Sequence, residues 1–120
     1  MHDYNRLQVY SDAMDLTCVI YRYTKHFPDS ERFGLTDQLR RAAVSVPSNI
    51  AEGCGRSTNK STAHFLSIAI GSIHEVSTQL MLADRLSYGA STQLLEASVS
   101  VRKQLIAFRK YLLKREQQSL

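Results

Sequence analysis

Apolar residues recur along this chain at alternating steps of three and four, the spacing that lines one face of an α-helix, in four separate stretches. The first runs from about residue 7 to 26, with Val9, Ala13, Leu16, Ile20 and Tyr23 in line. Pro28 stops it, because the residue before a proline is pushed out of the α region. The second, about 36–54, opens at Thr36, an expected N-cap with Asp37 in the first turn, and aligns Leu39, Ala43, Val46 and Ile50. Pro47 lies inside that line and lacks a backbone donor, which costs about 3 kcal/mol in an ordinary helix interior. The apolar spacing continues past it, so a kink rather than a break is expected, with Gly53 and Gly55 ending the helix. The third stretch, about 58–87, carries Leu66, Ala69, Ile73, Val76, Leu80 and Ala83. The fourth, about 92–117, carries two interleaved heptad lines, one of Leu94, Val101 and Phe108, the other of Ser98, Leu105 and Leu112. Short connections force neighbouring helices antiparallel. The expected fold is all-α: an up-down-up-down antiparallel four-helix bundle, kinked at Pro47, forming one domain over residues 1–120.

Composition narrows the class further. With 43% hydrophobic residues in 120, the chain can bury enough apolar surface to fold. Five glycines and two prolines leave little room for the corners of a sandwich or barrel. No run of 18 apolar residues suggests a membrane span, and the opening MHDYNRLQVYSDAMD lacks a signal peptide's basic and apolar regions. A cytoplasmic location is the default expectation, with no membrane contact. Cys18 and Cys54 are too few for a disulfide scaffold and are expected as buried or half-buried free thiols.

A second stripe lies on the outer face of helix two, about opposite its core line: Arg41, Ser45, Ser48 and Glu52. Helix three has its own: His64, Ile68, Gly71, Glu75, Thr78 and Leu82. A solvated face would be filled with Lys, Glu, Gln and Arg, whereas these stripes mix small residues, apolar residues and single charges. Gly71 costs up to ~1 kcal/mol in an exposed helix interior, which suggests close approach by another backbone. An interface between protomers is the reading this favours, against an unremarkable surface. Taking the turn midpoint near Arg56, Arg41 and Glu75 lie about 6 Å apart along the axis. They could pair within or between chains, or stay separately solvated.

The net charge of +4 is unevenly placed. Residues 102–116 hold Arg102, Lys103, Arg109, Lys110, Lys114 and Arg115 against Glu116 alone, a local net of +5, leaving −1 for the rest. Lys103, Lys110 and Lys114 face outward on helix four, with Arg102 and Arg109 beside its core line. Such a face suits RNA or a nucleic-acid-handling protein, because neutralised phosphates release counterions. The competing reading is that the helix C-terminus simply favours cations.

Nothing assembles a catalytic or cofactor site. Glu52 and Glu75 are expected about 22 Å apart along the axis, whereas paired carboxylate catalysis needs less than about 10 Å. His64 and His74 face about 80° apart, and neither has a Glu or His at i+3 or i+4 to share a metal. Ser45, Ser48 and Ser72 sit in no nucleophile elbow, and Gly53-Cys54-Gly55 lacks the rest of a dinucleotide fingerprint. No catalytic residue, metal or cofactor is expected.

The stretch from Gly34 to Gly53, GLTDQLRRAAVSVPSNIAEG, closely resembles the signature of four-helix bundle proteins encoded in intervening sequences of bacterial 23S rRNA genes. Gly55-Arg56, Phe65-Leu66, Ile68-Ala69, Gly71-Ser72 and Glu75 fit as well, as do Leu7, Val9, Ala13, Phe27-Pro28 and Glu31. Tyr10 departs from the tryptophan often found there. The resemblance implies a left-handed bundle assembling as a ring-shaped homopentamer without known catalysis. The same fold serves the accessory variability determinant of diversity-generating retroelements, which is similar only at fold level and implies a basic ring binding reverse transcriptase and RNA. Under this resemblance Arg41, Asn49, Glu52, Gly53, Gly71, Ser72 and Glu75 are structural and assembly residues. Asn49 lies within a turn of Pro47, where an amide is expected to bond freed backbone groups. The two functions that follow are an oligomeric scaffold that binds RNA through helix four, and a protein-directed assembly module, for example with a reverse transcriptase, that touches no nucleic acid.

Overall fold

The computed structural model describes residues 1–118, so Ser119 and Leu120 of the expected domain lie outside them. Four helices carry the chain: α1 (Gln8–Thr24), α2 (Leu35–Cys54), α3 (Asn59–Arg85) and α4 (Thr92–Gln118). Two short 3₁₀ turns, Tyr4–Arg6 and Asp29–Glu31, precede α1 and α2, and no strand occurs among the described residues.

Numbering runs in opposite directions across each adjoining pair. Thr17 reaches Ala43 and Tyr21 reaches Arg40; Ser45 meets Ser72 and Gly53 meets Thr62; Ser67 meets Arg109 and Ser77 meets Ser98. Gln104 of α4 returns to Asp12 of α1, closing the square. The backbones of α1 and α3, and of α2 and α4, stay apart across the diagonals. The result is an antiparallel up-down-up-down bundle about 53 × 21 × 20 Å in extent.

The core follows the four apolar stripes. Val9, Ala13, Leu16 and Ile20 of α1 are buried, with Leu39, Ala43, Val46 and Ile50 of α2 and the whole expected line of α3. Leu94, Val101, Leu105 and Leu112 complete it from α4, where Phe108 is only half-buried and Ser98 is fully buried. Ser98 can be polar because its hydroxyl donates to the Leu95 carbonyl at 2.7 Å and faces the Ser77 hydroxyl at 2.9 Å. Phe27 plugs one end between Tyr23 and Tyr88, each ring 5.2 Å away. By length and composition α3 could also cross a membrane, but it is amphipathic, turning one stripe into the core and His64 and Glu75 outward.

Helix ends differ from the sequence expectation by a few residues. Thr36 does not cap α2; Gly34 occupies the N-cap position without a side-chain bond. Glu31 from the preceding turn accepts the Leu35 N–H at 3.2 Å, and its other oxygen accepts the Tyr88 hydroxyl at 2.8 Å. That bond holds the phenolic proton and raises the Tyr88 pKa. Thr58 caps α3, accepting the Ser61 N–H at 3.1 Å.

Pro47 is buried, and α2 continues unbroken through it from Leu35 to Cys54, a continuous helix rather than a broken one, as expected. The carbonyl of Ala43, which lacks its usual donor, is met from another helix. The Thr17 hydroxyl lies 3.1 Å from it and 2.8 Å from the Ala13 carbonyl, bridging α1 to α2. Asn49 instead donates to the carbonyl and the hydroxyl of Ser45, at 2.8 and 3.0 Å. Further along, α3 packs tightly on Gly53, where a Cβ would sit 2.8 Å from Phe65 Cβ and 3.1 Å from the Thr62 carbonyl.

Thr17→Val keeps the side-chain shape and strands the Ala43 carbonyl, so it is expected to cost about 1–3 kcal/mol and lower Tm by several degrees. Asn49→Ala removes the Ser45 bonds and is expected to lower Tm by a smaller amount. Thermal melts followed by circular dichroism check both, and an unchanged Tm for either variant contradicts its assigned bond.

Candidate interaction surfaces

One broad face is centred on α2. Its outward positions are Arg41, Ser45, Ser48 and Glu52, flanked by Met14 and Tyr21 of α1 and by Ile68, Gly71 and Leu82 of α3. Large apolar side chains on it stay open to solvent: Met14 is 44% exposed, Val44 41%, Ile68 41% and Leu82 47%. The α1–α2 side holds an apolar groove of about 370 Å³, lined by Met14, Val44 and Ala51 among others. Ser48 and Gly71 are exposed, and beyond the adjoining backbone of α3 itself nothing lies within 4 Å of where a Gly71 Cβ would sit. The packing reason for Gly71 is therefore absent from the protomer itself.

Between α2 and α3 lies a polar groove of about 330 Å³. Ser45 and Ser72 close its floor through a 2.8 Å hydroxyl contact, and Asn49 extends that chain along α2. Arg41 and Glu75 line the same groove. With Ser45 opposite Ser72 they stand nearly level, closer than the expected 6 Å offset, because the turn is centred beyond Arg56, next to the Thr58 cap. Even so, no ion pair joins them. Arg41 Nε donates along the helix to Asp37 at 2.9 Å, and Glu75 has no partner among the described residues. The amide oxygen of Gln79, beside Glu75, is buried without a hydrogen-bond donor. Glu52 is committed to Arg56 at 2.8 Å. The same register sets Glu52 and Glu75 about 15 Å apart along the axis, nearer than the expected 22 Å yet beyond the reach of paired carboxylates.

The opposite side of the bundle is basic. Lys103, Lys110 and Lys114 are exposed on α4, while Arg102 and Arg109 are half-buried. Arg109 straps α4 to α3, its Nε–H donating to the Ser67 hydroxyl at 2.6 Å. The guanidinium of Arg115 lies 5.7 Å from the Tyr111 ring. Since Ser67 faces Arg109, the start of α3 faces the end of α4, which brings Lys60 to the same pole. The N-terminal segment ties this pole together. His2 packs edge-on against Phe108 at 5.8 Å, contacts Asn59 at 3.4 Å, and donates its backbone N–H to the Cys54 carbonyl at 2.9 Å. Lys60 was not singled out from sequence; pairing the antiparallel ends of α3 and α4 would have placed it there.

Among the described residues no three His, Cys, Asp or Glu side chains converge to hold a metal ion. Cys54 is buried, and burial pushes its thiol pKa up. Cys18 corrects the expectation of a half-buried or buried thiol: it is exposed, because the stripe Val9, Ala13, Leu16 and Ile20 turns position 18 outward.

A solved structure shares this fold: a protein of unknown function from the S23 ribosomal protein family of Bacteroides thetaiotaomicron. The two superpose with a TM-score of 0.77 over 85% of this chain and 95% of that one, at 23% sequence identity. No curated protein matches the chain. The sequence pattern of one family matches residues 5–107, which takes in α1, α2, α3 and more than half of α4. The chain thus belongs to the 23S rRNA-intervening sequence protein family.

Proposed function

We propose that this protein is a non-catalytic homo-oligomeric scaffold that buries its α2-centred face against further copies and offers the basic face of α4 to RNA. The opposition of those two faces carries the reading. One side exposes Met14, Val44, Ile68 and Leu82 around the small residues Ser48 and Gly71, and the other exposes Lys103, Lys110 and Lys114. Contiguous exposed apolar surface rimmed by polar residues marks protein contact, and clustered cations mark phosphate. A closed ring needs two different patches that meet head to tail, and the α1–α2 groove and the α3 edge are two such patches. The pentamer is the ring size that the family resemblance implies. The family's description names 23S rRNA, which accords with an RNA partner.

Gly71→Ala distinguishes assembly from plain surface. In a lone protomer the methyl enters open space and adds up to ~1 kcal/mol of helix propensity. In the assembly it meets the adjoining copy, so light scattering is expected to show a shift towards the 13.6 kDa protomer. A variant with raised Tm and unchanged mass contradicts the interface.

For RNA, filter binding across a salt series is expected to give a steep log–log slope. Replacing Lys103, Lys110 and Lys114 together by Glu is expected to abolish most binding and reduce that slope by about 2 on a single strand. Flat, negligible binding of the unmodified protein overturns this half of the reading and favours a protein-directed module.

A further inference from the structure

Two hydrogen-bond acceptors in the groove between α2 and α3 go unmatched. Gln79 presents a buried amide oxygen with no partner, and the Glu75 carboxylate beside it also has none among the described residues. Two acceptors side by side, one of them charged, call for a cation with several N–H groups. The chain carries a matching fork on the same face. Arg41 spends its Nε–H on Asp37 at 2.9 Å, which holds the side chain outward, 79% exposed, with both terminal NH₂ groups free for another acceptor. The neighbouring arginines, Arg40 of α2 and Arg56 of the following turn, are committed. Arg40 donates to the Thr24 hydroxyl at 2.8 Å and to the Tyr21 carbonyl at 3.3 Å, and lies 4.7 Å from the Tyr21 ring centre. Arg56 is held by Glu52 at 2.8 Å and lies 4.5 Å from the Phe65 ring centre.

We infer that this groove is a guanidinium socket, and that its occupant is Arg41 of a second copy of the chain. The inference rests on the assembly reading above and names the contact that orients it. Each copy offers one free fork and one pair of unmatched acceptors, so the two complement each other in charge and in hydrogen bonding. Arg41 can enter a neighbour's socket without leaving Asp37, because that bond uses only Nε. Within its own chain Arg41 lines the groove while bonded to Asp37, and makes no ion pair with Glu75. The hydroxyls of Ser45 and Ser72, 2.8 Å apart, give the groove a polar, uncharged floor.

The test uses Arg41→Glu and Glu75→Arg, each alone and then mixed in equal amounts. Mass is read by sedimentation, and circular dichroism monitors the fold. Each variant alone is expected to assemble at least tenfold more weakly, through like charges at the contact. The mixture is expected to regain species heavier than the protomer, because Glu at position 41 of one chain meets Arg at position 75 of the other. Gln79→Leu removes the orphan acceptor from the groove; it is expected to keep the helical melt and weaken assembly about tenfold. Unmodified protein at the protomer mass overturns both the assembly reading and the socket. Unmodified protein that assembles, with single variants that assemble equally well or a mixture that stays apart, overturns the socket alone. A Gln79→Leu variant that assembles like the unmodified chain also overturns it.

Discussion

The close approach of α2 to α3 sets the rest of this molecule. At Gly53 the two backbones leave no room for a side chain, and the Thr62 hydroxyl donates to the Gly53 carbonyl at 2.8 Å. Farther along, the Ser45 and Ser72 hydroxyls touch. Small residues at these points let the helices sit near enough for short polar contacts, and those contacts fix the register. With register fixed, Arg41 comes level with Glu75, and Gln79 lines the same groove with its buried amide oxygen unpartnered.

The same packing leaves α2 with two tasks. Its core stripe is satisfied within the chain, and the Ala43 carbonyl that Pro47 leaves without its helical donor lies 3.1 Å from the Thr17 hydroxyl of α1. Its outer stripe is not satisfied. Ser48 is exposed, the space over Gly71 is empty, apolar side chains around them remain open, and the cations cluster on the far side of the bundle. A protomer built this way is complete as a fold and incomplete as a surface.

Much of the architecture was legible because burial in a bundle has a period the sequence must obey. Every core position expected on α3 is fully buried, as are the four expected on α2. What escaped was whatever depends on two helices at once. The cap of α2 comes from Glu31, outside the helix, so the helix's own opening residues pointed wrongly to Thr36. The α2–α3 register was misplaced by several ångströms, since a turn midpoint cannot be read without knowing that Thr58 caps α3 and Gly53 admits the close approach. Cys18 was judged by the general habit of cysteines to be buried rather than by its own phase on α1. Of the surface residues, the stripes were readable as unusual, yet Gln79 was invisible as a site because it is ordinary in sequence and becomes remarkable only for lacking a donor.

Native mass spectrometry of the unmodified chain at micromolar concentration addresses the incomplete surface most directly. The account expects a dominant ion at five times the 13.6 kDa chain, dissociating on activation into single folded subunits. A spectrum holding only the 13.6 kDa species would mean that the α2-centred face lives in water, and would contradict it.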